Sequence, residues 1–109
     1  MNETWKTKIE TDINNHDIMV YMRGTPEAPR CGFSARVMNI LKNKIDHPYG
    51  TEDMDSDPEL WQTLKEMNEW PTSPQIFVKG EFIGGCDIFL EMFQSGELQE
   101  KLGIKEIST

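Results

Sequence analysis

Cys31-Gly32-Phe33-Ser34 follows a loop and opens a helical pattern. A Cys-x-x-Cys in that place is a dithiol redox site. Here Ser34 holds the fourth position, and a hydroxyl cannot close a disulfide. Cys31 must find its second sulfur outside the motif. That moves the expected chemistry from disulfide cycling toward a thiol that binds something. A helix N-terminus presents unpaired N–H groups and the positive end of the helix dipole, both of which favour an anion. Arg23 and Arg30 add positive charge nearby in sequence. All three influences are expected to lower the Cys31 pKa, and the thiolate is both nucleophile and metal ligand. The second cysteine, Cys86, follows Gly84-Gly85 at the start of another helical pattern; it reads as a small packed group, with a second redox thiol as the alternative. No His/Cys cluster suggests a mononuclear zinc site.

The elements that must position these residues are legible from periodicity. Trp5, Ile9 and Ile13 fall at helical spacing and predict a first helix over 3–14. Residues 18–22, Ile-Met-Val-Tyr-Met, form a short apolar run that reads as a buried strand. The stretch 24–30, with two prolines and a glycine, reads as a loop. From Cys31, the residues Phe33, Val37, Ile40 and Leu41 predict a helix that ends near residue 43 or 44. Residues 47–54 are weakly patterned and are assigned to a second strand. Asp57-Pro58-Glu59 combines an N-cap, a first-turn proline and a first-turn acid, ahead of a helix marked by Leu60, Trp61, Leu64 and Met67. Trp70 to Pro74 breaks that helix. Residues 75–79 and 82–83 predict a hairpin around Lys79-Gly80-Glu81, and helices over 86–93 and 96–102 follow. The order is αβαβαββαα, which predicts an α/β fold with a central four-stranded mixed sheet flanked by helices.

At 109 residues the chain is read as one domain spanning 1–109. Its net charge of −8 argues against nucleic acid and anionic membranes as partners, since both are polyanions. No apolar run approaches the roughly 20 residues of a membrane span. Met1 to Glu10 mixes charges without an apolar stretch, so neither a secretory signal nor a transit peptide is expected. Two cysteines are too few for a disulfide scaffold, and the expected location is the reducing cytoplasm.

Several separated motifs occur in one order: Met22-Arg23-Gly24-Thr25-Pro26, Pro29 to Ser34, Trp70-Pro71-Thr72-Ser73-Pro74-Gln75, Val78 to Asp87, and Gly96-Glu97-Leu98. Together they resemble the monothiol glutaredoxins of the Cys-Gly-Phe-Ser class, over nearly everything from Ile18 to Leu102. The resemblance implies a thioredoxin-like fold, glutathione binding, and a [2Fe-2S] cluster held between two subunits. It also implies a role in cluster storage, transfer or assembly, with BolA-like proteins and apo iron–sulfur proteins as partners.

Such a cluster takes four thiolates in most proteins, and one chain offers one well-placed cysteine. The family's answer is a homodimer in which Cys31 and glutathione supply two thiolates each, so that Cys31 is both reactive thiol and metal ligand. By the same resemblance Arg23 stands where the family usually has lysine, contacting the glycine-end carboxylate. Ser73 precedes a cis-proline whose neighbouring backbone faces the ligand. Cys86 and Asp87 open a helix that suits the γ-glutamyl end. Trp61 departs from the family, which commonly has arginine there to reach the glycine carboxylate; either Gln62 or Lys65 is expected to replace it, or glutathione is held less tightly. The competing reading is a glutathione-dependent oxidoreductase, with Cys31 attacking protein–glutathione mixed disulfides and a second glutathione as the resolving thiol. A third is a regulatory module that docks a BolA-like partner.

Overall fold

The computed structural model describes residues 2–104. Helix α1 (Glu3–Asn15) leads into strand β1 (Ile18–Met22), and a two-residue ribbon, β2 (Gly24–Thr25) and β3 (Ala28–Pro29), follows. Helix α2 (Gly32–Asn43), strand β4 (Gly50–Asp53), a 3₁₀ turn (Met54–Ser56) and helix α3 (Pro58–Asn68) come next. Strands β5 (Gln75–Val78) and β6 (Glu81–Gly84) and helices α4 (Cys86–Ser95) and α5 (Glu97–Leu102) complete the chain. The main sheet has the order β4-β1-β5-β6. β1 runs parallel to β4 and antiparallel to β5, and β5 is antiparallel to β6, so the sheet is mixed and four-stranded as expected.

β1 is buried along its whole length, and its alternation divides the interior in two. Ile18, Val20 and Met22 face α2, α4 and α5, where they join Val37, Leu41, Phe89 and Leu98. Met19 and Tyr21 face α1 and α3, where they join Ile9, Leu60, Leu64 and Phe77. Tyr21 meets Phe77 edge-on at 5.9 Å between ring centroids. The β5–β6 turn places Lys79 (φ 54°) and Gly80 (φ 81°) in the left-handed region. Successive positive φ values match the twist of a two-residue hairpin, and glycine adopts them without a Cβ penalty.

Three expectations change. The loop over 24–30 is an ordered ribbon: Gly24 pairs with Pro29 and Thr25 with Ala28, and the Arg30 amide closes it by donating to the Arg23 carbonyl at 2.9 Å. The strand expected over 47–54 shortens to Gly50–Asp53, with Gly50 opposite Met19. Pro48, which has no N–H to give a ladder, lies just before it. The histidines, which carry no motif in the sequence and by default belong at the surface, are partly buried. His16 Nδ1 sits 2.9 Å from the Asp12 carbonyl, and His47 Nε2 sits 3.0 Å from Asp17 Oδ2. α3 begins as its sequence predicts: Asp57 accepts from the Glu59 amide at 2.9 Å, and Pro58 occupies the first turn. The other Asp57 oxygen accepts from Trp5 Nε1 at 3.2 Å, which ties α1 to α3.

Candidate functional site

Cys31 is the N-cap of α2, in extended conformation and partly exposed. Its sulfur accepts from the Ser34 amide at 3.4 Å. The Ser34 hydroxyl, fully buried, lies 3.2 Å from the same sulfur. That hydroxyl oxygen also accepts from the Arg23 amide at 3.3 Å. An oxygen engaged as acceptor on one side turns its proton toward the other, so the hydroxyl is set to donate to a thiolate. Burial is the largest single influence on the Cys31 pKa and pushes it up. The Ser34 hydroxyl and amide, then the Ser73 hydroxyl and the Phe33 amide, outweigh burial and leave the thiol below its ordinary value. The lowered pKa expected from the sequence is present, but its source differs. Neither Arg23 nor Arg30 is among the causes of the shift, and both guanidinium groups pair with carboxylates. Arg23 Nε donates to Asp55 Oδ2 at 3.2 Å, and Arg30 lies 3.7 Å from Asp55 and 3.8 Å from Asp53.

A groove of ≈ 370 Å³ runs beside the thiol, lined by Phe33, Trp70, Thr72, Ser73, Gly85, Cys86, Asp87 and Ile88. Ser73 both lines the groove and bonds the Cys31 thiol, so the sulfur stands at the groove's edge. The Ser73–Pro74 bond is cis. Gly85 is needed where α4 meets this loop: a Cβ there would lie 3.3 Å from the Pro74 carbonyl and 3.5 Å from Trp70 Nε1. Gly85 caps α4 without a side chain, and the exposed Asp87 stands in the helix's first turn. Cys86 is buried, and burial pushes its thiol pKa up, as a packed group should behave. Phe33, whose helical spacing suggests a core position, is 55% exposed; it lies in the first turn of α2 and projects over the groove. A larger, more open depression of ≈ 810 Å³ lies against β6, α4 and α5, but it contains neither cysteine, so the chemistry belongs to the smaller groove.

Trp61 is brought close to Arg23. The Arg23 guanidinium carbon lies 5.4 Å from the centre of the Trp61 ring, and Lys65 Nζ lies 5.7 Å from it. Of the two residues expected to replace the missing arginine, Lys65 is the one that stands beside the Trp61 ring. Gln62 instead donates to Glu66 at 3.1 Å. Sequence reasoning passed over Asp53 and Asp55. The only signal was the repeat of acids at 53, 55 and 57, downstream of two arginines.

A family model described as Glutaredoxin matches residues 18–83, from β1 through the hairpin. The chain is 45% identical over 104 residues to an uncharacterized monothiol glutaredoxin, ycf64-like, of Synechocystis sp., covering 95% of this chain and 96% of that protein. This chain belongs to the monothiol glutaredoxin family. It is also 42% identical over 106 residues to the mitochondrial monothiol glutaredoxin-S15 of Arabidopsis thaliana, spanning 97% of this chain but only 61% of that longer relative. The solution structure of a monomeric truncated mutant of Trypanosoma brucei 1-C-Grx1 superposes with a TM-score of 0.80 at 38% identity, covering 89% of this chain and 87% of that one. The thioredoxin-like glutaredoxin fold expected from the motifs is therefore the fold of this chain. In this glutaredoxin, Cys31, Ser73, Cys86 and Asp87 meet around one groove, while Arg23 and Trp61 lie outside its lining and pair with each other.

Proposed function

We propose that this glutaredoxin binds glutathione in the groove beside Cys31 and carries a [2Fe-2S] cluster as cargo between two subunits, for cluster storage, transfer or assembly. The observation that carries the reading is an activated, accessible thiol with a hydroxyl where a resolving thiol would stand. Cys86 is a poor substitute, being buried with a raised pKa. Among the described residues no group of three or more His, Cys, Asp or Glu side chains is placed to hold a metal ion. A four-thiolate cargo therefore requires a second subunit and an external thiol. Glutathione supplies that thiol, and its γ-glutamyl end suits the open amides of α4 and the Asp87 carboxylate. Exposed Phe33 and Ile88 give the groove an apolar rim, against which a second subunit, a BolA-like protein or an apo acceptor would pack.

The test is anaerobic reconstitution with iron, sulfide and glutathione, alongside Cys31→Ser and a sample without glutathione. Visible charge-transfer bands that need both Cys31 and glutathione, with a shift from monomer to dimer, support the reading. The lowered Cys31 pKa also favours a second reading, a glutathione-dependent oxidoreductase acting by a monothiol route. A colourless monomer that turns over glutathione mixed disulfides would leave that one standing.

A further inference from the structure

Behind Ser34, whose hydroxyl oxygen accepts from the Arg23 amide at 3.3 Å, the chain sets paired charges of its own. Asp55 accepts from Arg23 Nε at 3.2 Å and lies 3.7 Å from Arg30, while Asp53 lies 3.8 Å from Arg30. The two carboxylates are only 16% and 19% exposed. Backbone fixes Asp53: its Oδ1 accepts from the Gly24 amide at 3.0 Å and from the Asp55 amide at 2.8 Å, while the Asp55 carboxylate is held by the two arginines. Two arginines thus face two carboxylates. Lys65, over the far side of the Trp61 ring, is the one further cation in this group. Trp61 Nε1 is buried and has no partner among the described residues, so the indole presents its ring and no donor.

We propose that this site reads its thiol ligand by charge at one end only. The α4 amides and Asp87 recognise the amino-acid end, while Asp55 occupies Arg23 as a built-in carboxylate at the other. A ligand carboxylate approaching Arg23 meets a like charge already in contact, which offsets the attraction. Trp61 gives that end of the ligand an apolar surface. The ligand class therefore extends from glutathione to related thiols whose glycyl carboxyl is masked as an ester or amide, and Asp55 is a positioning residue that sets this tolerance. The inference rests on the reading that the groove takes glutathione.

The test is a competition at Cys31 of the whole protein, in a redox buffer holding equal amounts of glutathione and its glycyl monoethyl ester, both reduced and oxidised. The Cys31 thiolate attacks one sulfur of the disulfide, the S–S bond breaks, and a glutathione or ester thiolate leaves. The same bond forms in either adduct, so the ratio of the two masses reports contacts remote from sulfur. The expected wild-type preference for the free acid is under about threefold, rising about fivefold further in Asp55→Asn, as a single exposed charge contact allows. A general loosening of the fold would lower both adducts without moving the ratio. A wild-type preference of about tenfold or more, or an unchanged ratio in Asp55→Asn, overturns this inference and leaves glutathione binding intact. Absence of either adduct at Cys31 overturns both readings.

Discussion

Ser34→Ala isolates the hydroxyl that activates the reactive thiol. The substitution keeps the Ser34 amide, 3.4 Å from Cys31 Sγ, and removes only the hydroxyl at 3.2 Å. A hydrogen bond to a charged group contributes about 1.5–3 kcal/mol. Losing it lowers the thiolate population about 12- to 160-fold at a pH where the thiol predominates. The thiolate that remains is more basic and so more nucleophilic, with a Brønsted coefficient near 0.45, which returns about 3- to 10-fold. The expected net effect is a 4- to 16-fold fall, roughly, in the rate of iodoacetamide alkylation measured on the acid side of the Cys31 titration. The same change leaves the Arg23 amide without its acceptor at 3.3 Å, so unfolding should ease by about 1–3 kcal/mol. Rates are therefore measured under conditions where thermal unfolding shows the variant to be native. An alkylation rate within about twofold of wild type would refute the claim that this hydroxyl, rather than Arg23 or Arg30, sustains the thiolate.

Three further outcomes are expected. Because Cys31 titrates below its ordinary value and Cys86 above it, brief iodoacetamide labelling near neutral pH followed by peptide mapping should find the label on Cys31 alone; equal labelling would contradict the burial of Cys86. The two thiols act oppositely on stability. The Cys31 contribution is present above the unfolded thiol's pKa and is lost as pH falls through the native value. The Cys86 contribution is present below the unfolded pKa and is lost as pH rises through the native value. Asp57→Ala should destabilise by about 1–3 kcal/mol in urea unfolding, since it removes both the cap on Glu59 N and the acceptor of Trp5 Nε1. A cost below about 0.5 kcal/mol would show that neither contact matters.

What the sequence made legible was mostly local. The apolar run of β1, the Asp57-Pro58 start of α3 and the placement of Cys31 before α2 depend on residues a few positions apart, and each forms where its pattern predicts. The family motifs placed Ser73, Cys86 and Asp87 near one groove, because family spacing encodes tertiary proximity that periodicity does not. What escaped was pairing across the chain. Arg23 and Asp55 are 32 residues apart, and Asp17 and His47 are 30 apart. Nothing in local composition says which carboxylate a guanidinium will find, so Arg23 and Arg30 looked free to act on the thiol. Phe33 was open to two readings for a different reason: its spacing matches Val37 and Ile40, which suits the core, yet it also stands beside Cys31, and the structure leaves it 55% exposed in the groove's lining.

The sheet works as a bulkhead through the site. Cys31, Cys86 and Asp87 sit on helices packed against one side, in the core of Val37, Leu41 and Phe89. Trp61 and Lys65 sit on α3, packed against the other side around Leu60, Leu64 and Phe77. The reactive thiol and the Trp61–Lys65 pair are therefore mounted on separate interiors that share the strands between them. A change of packing in the α1–α3 interior can move Trp61 while the core behind Cys31 keeps its place.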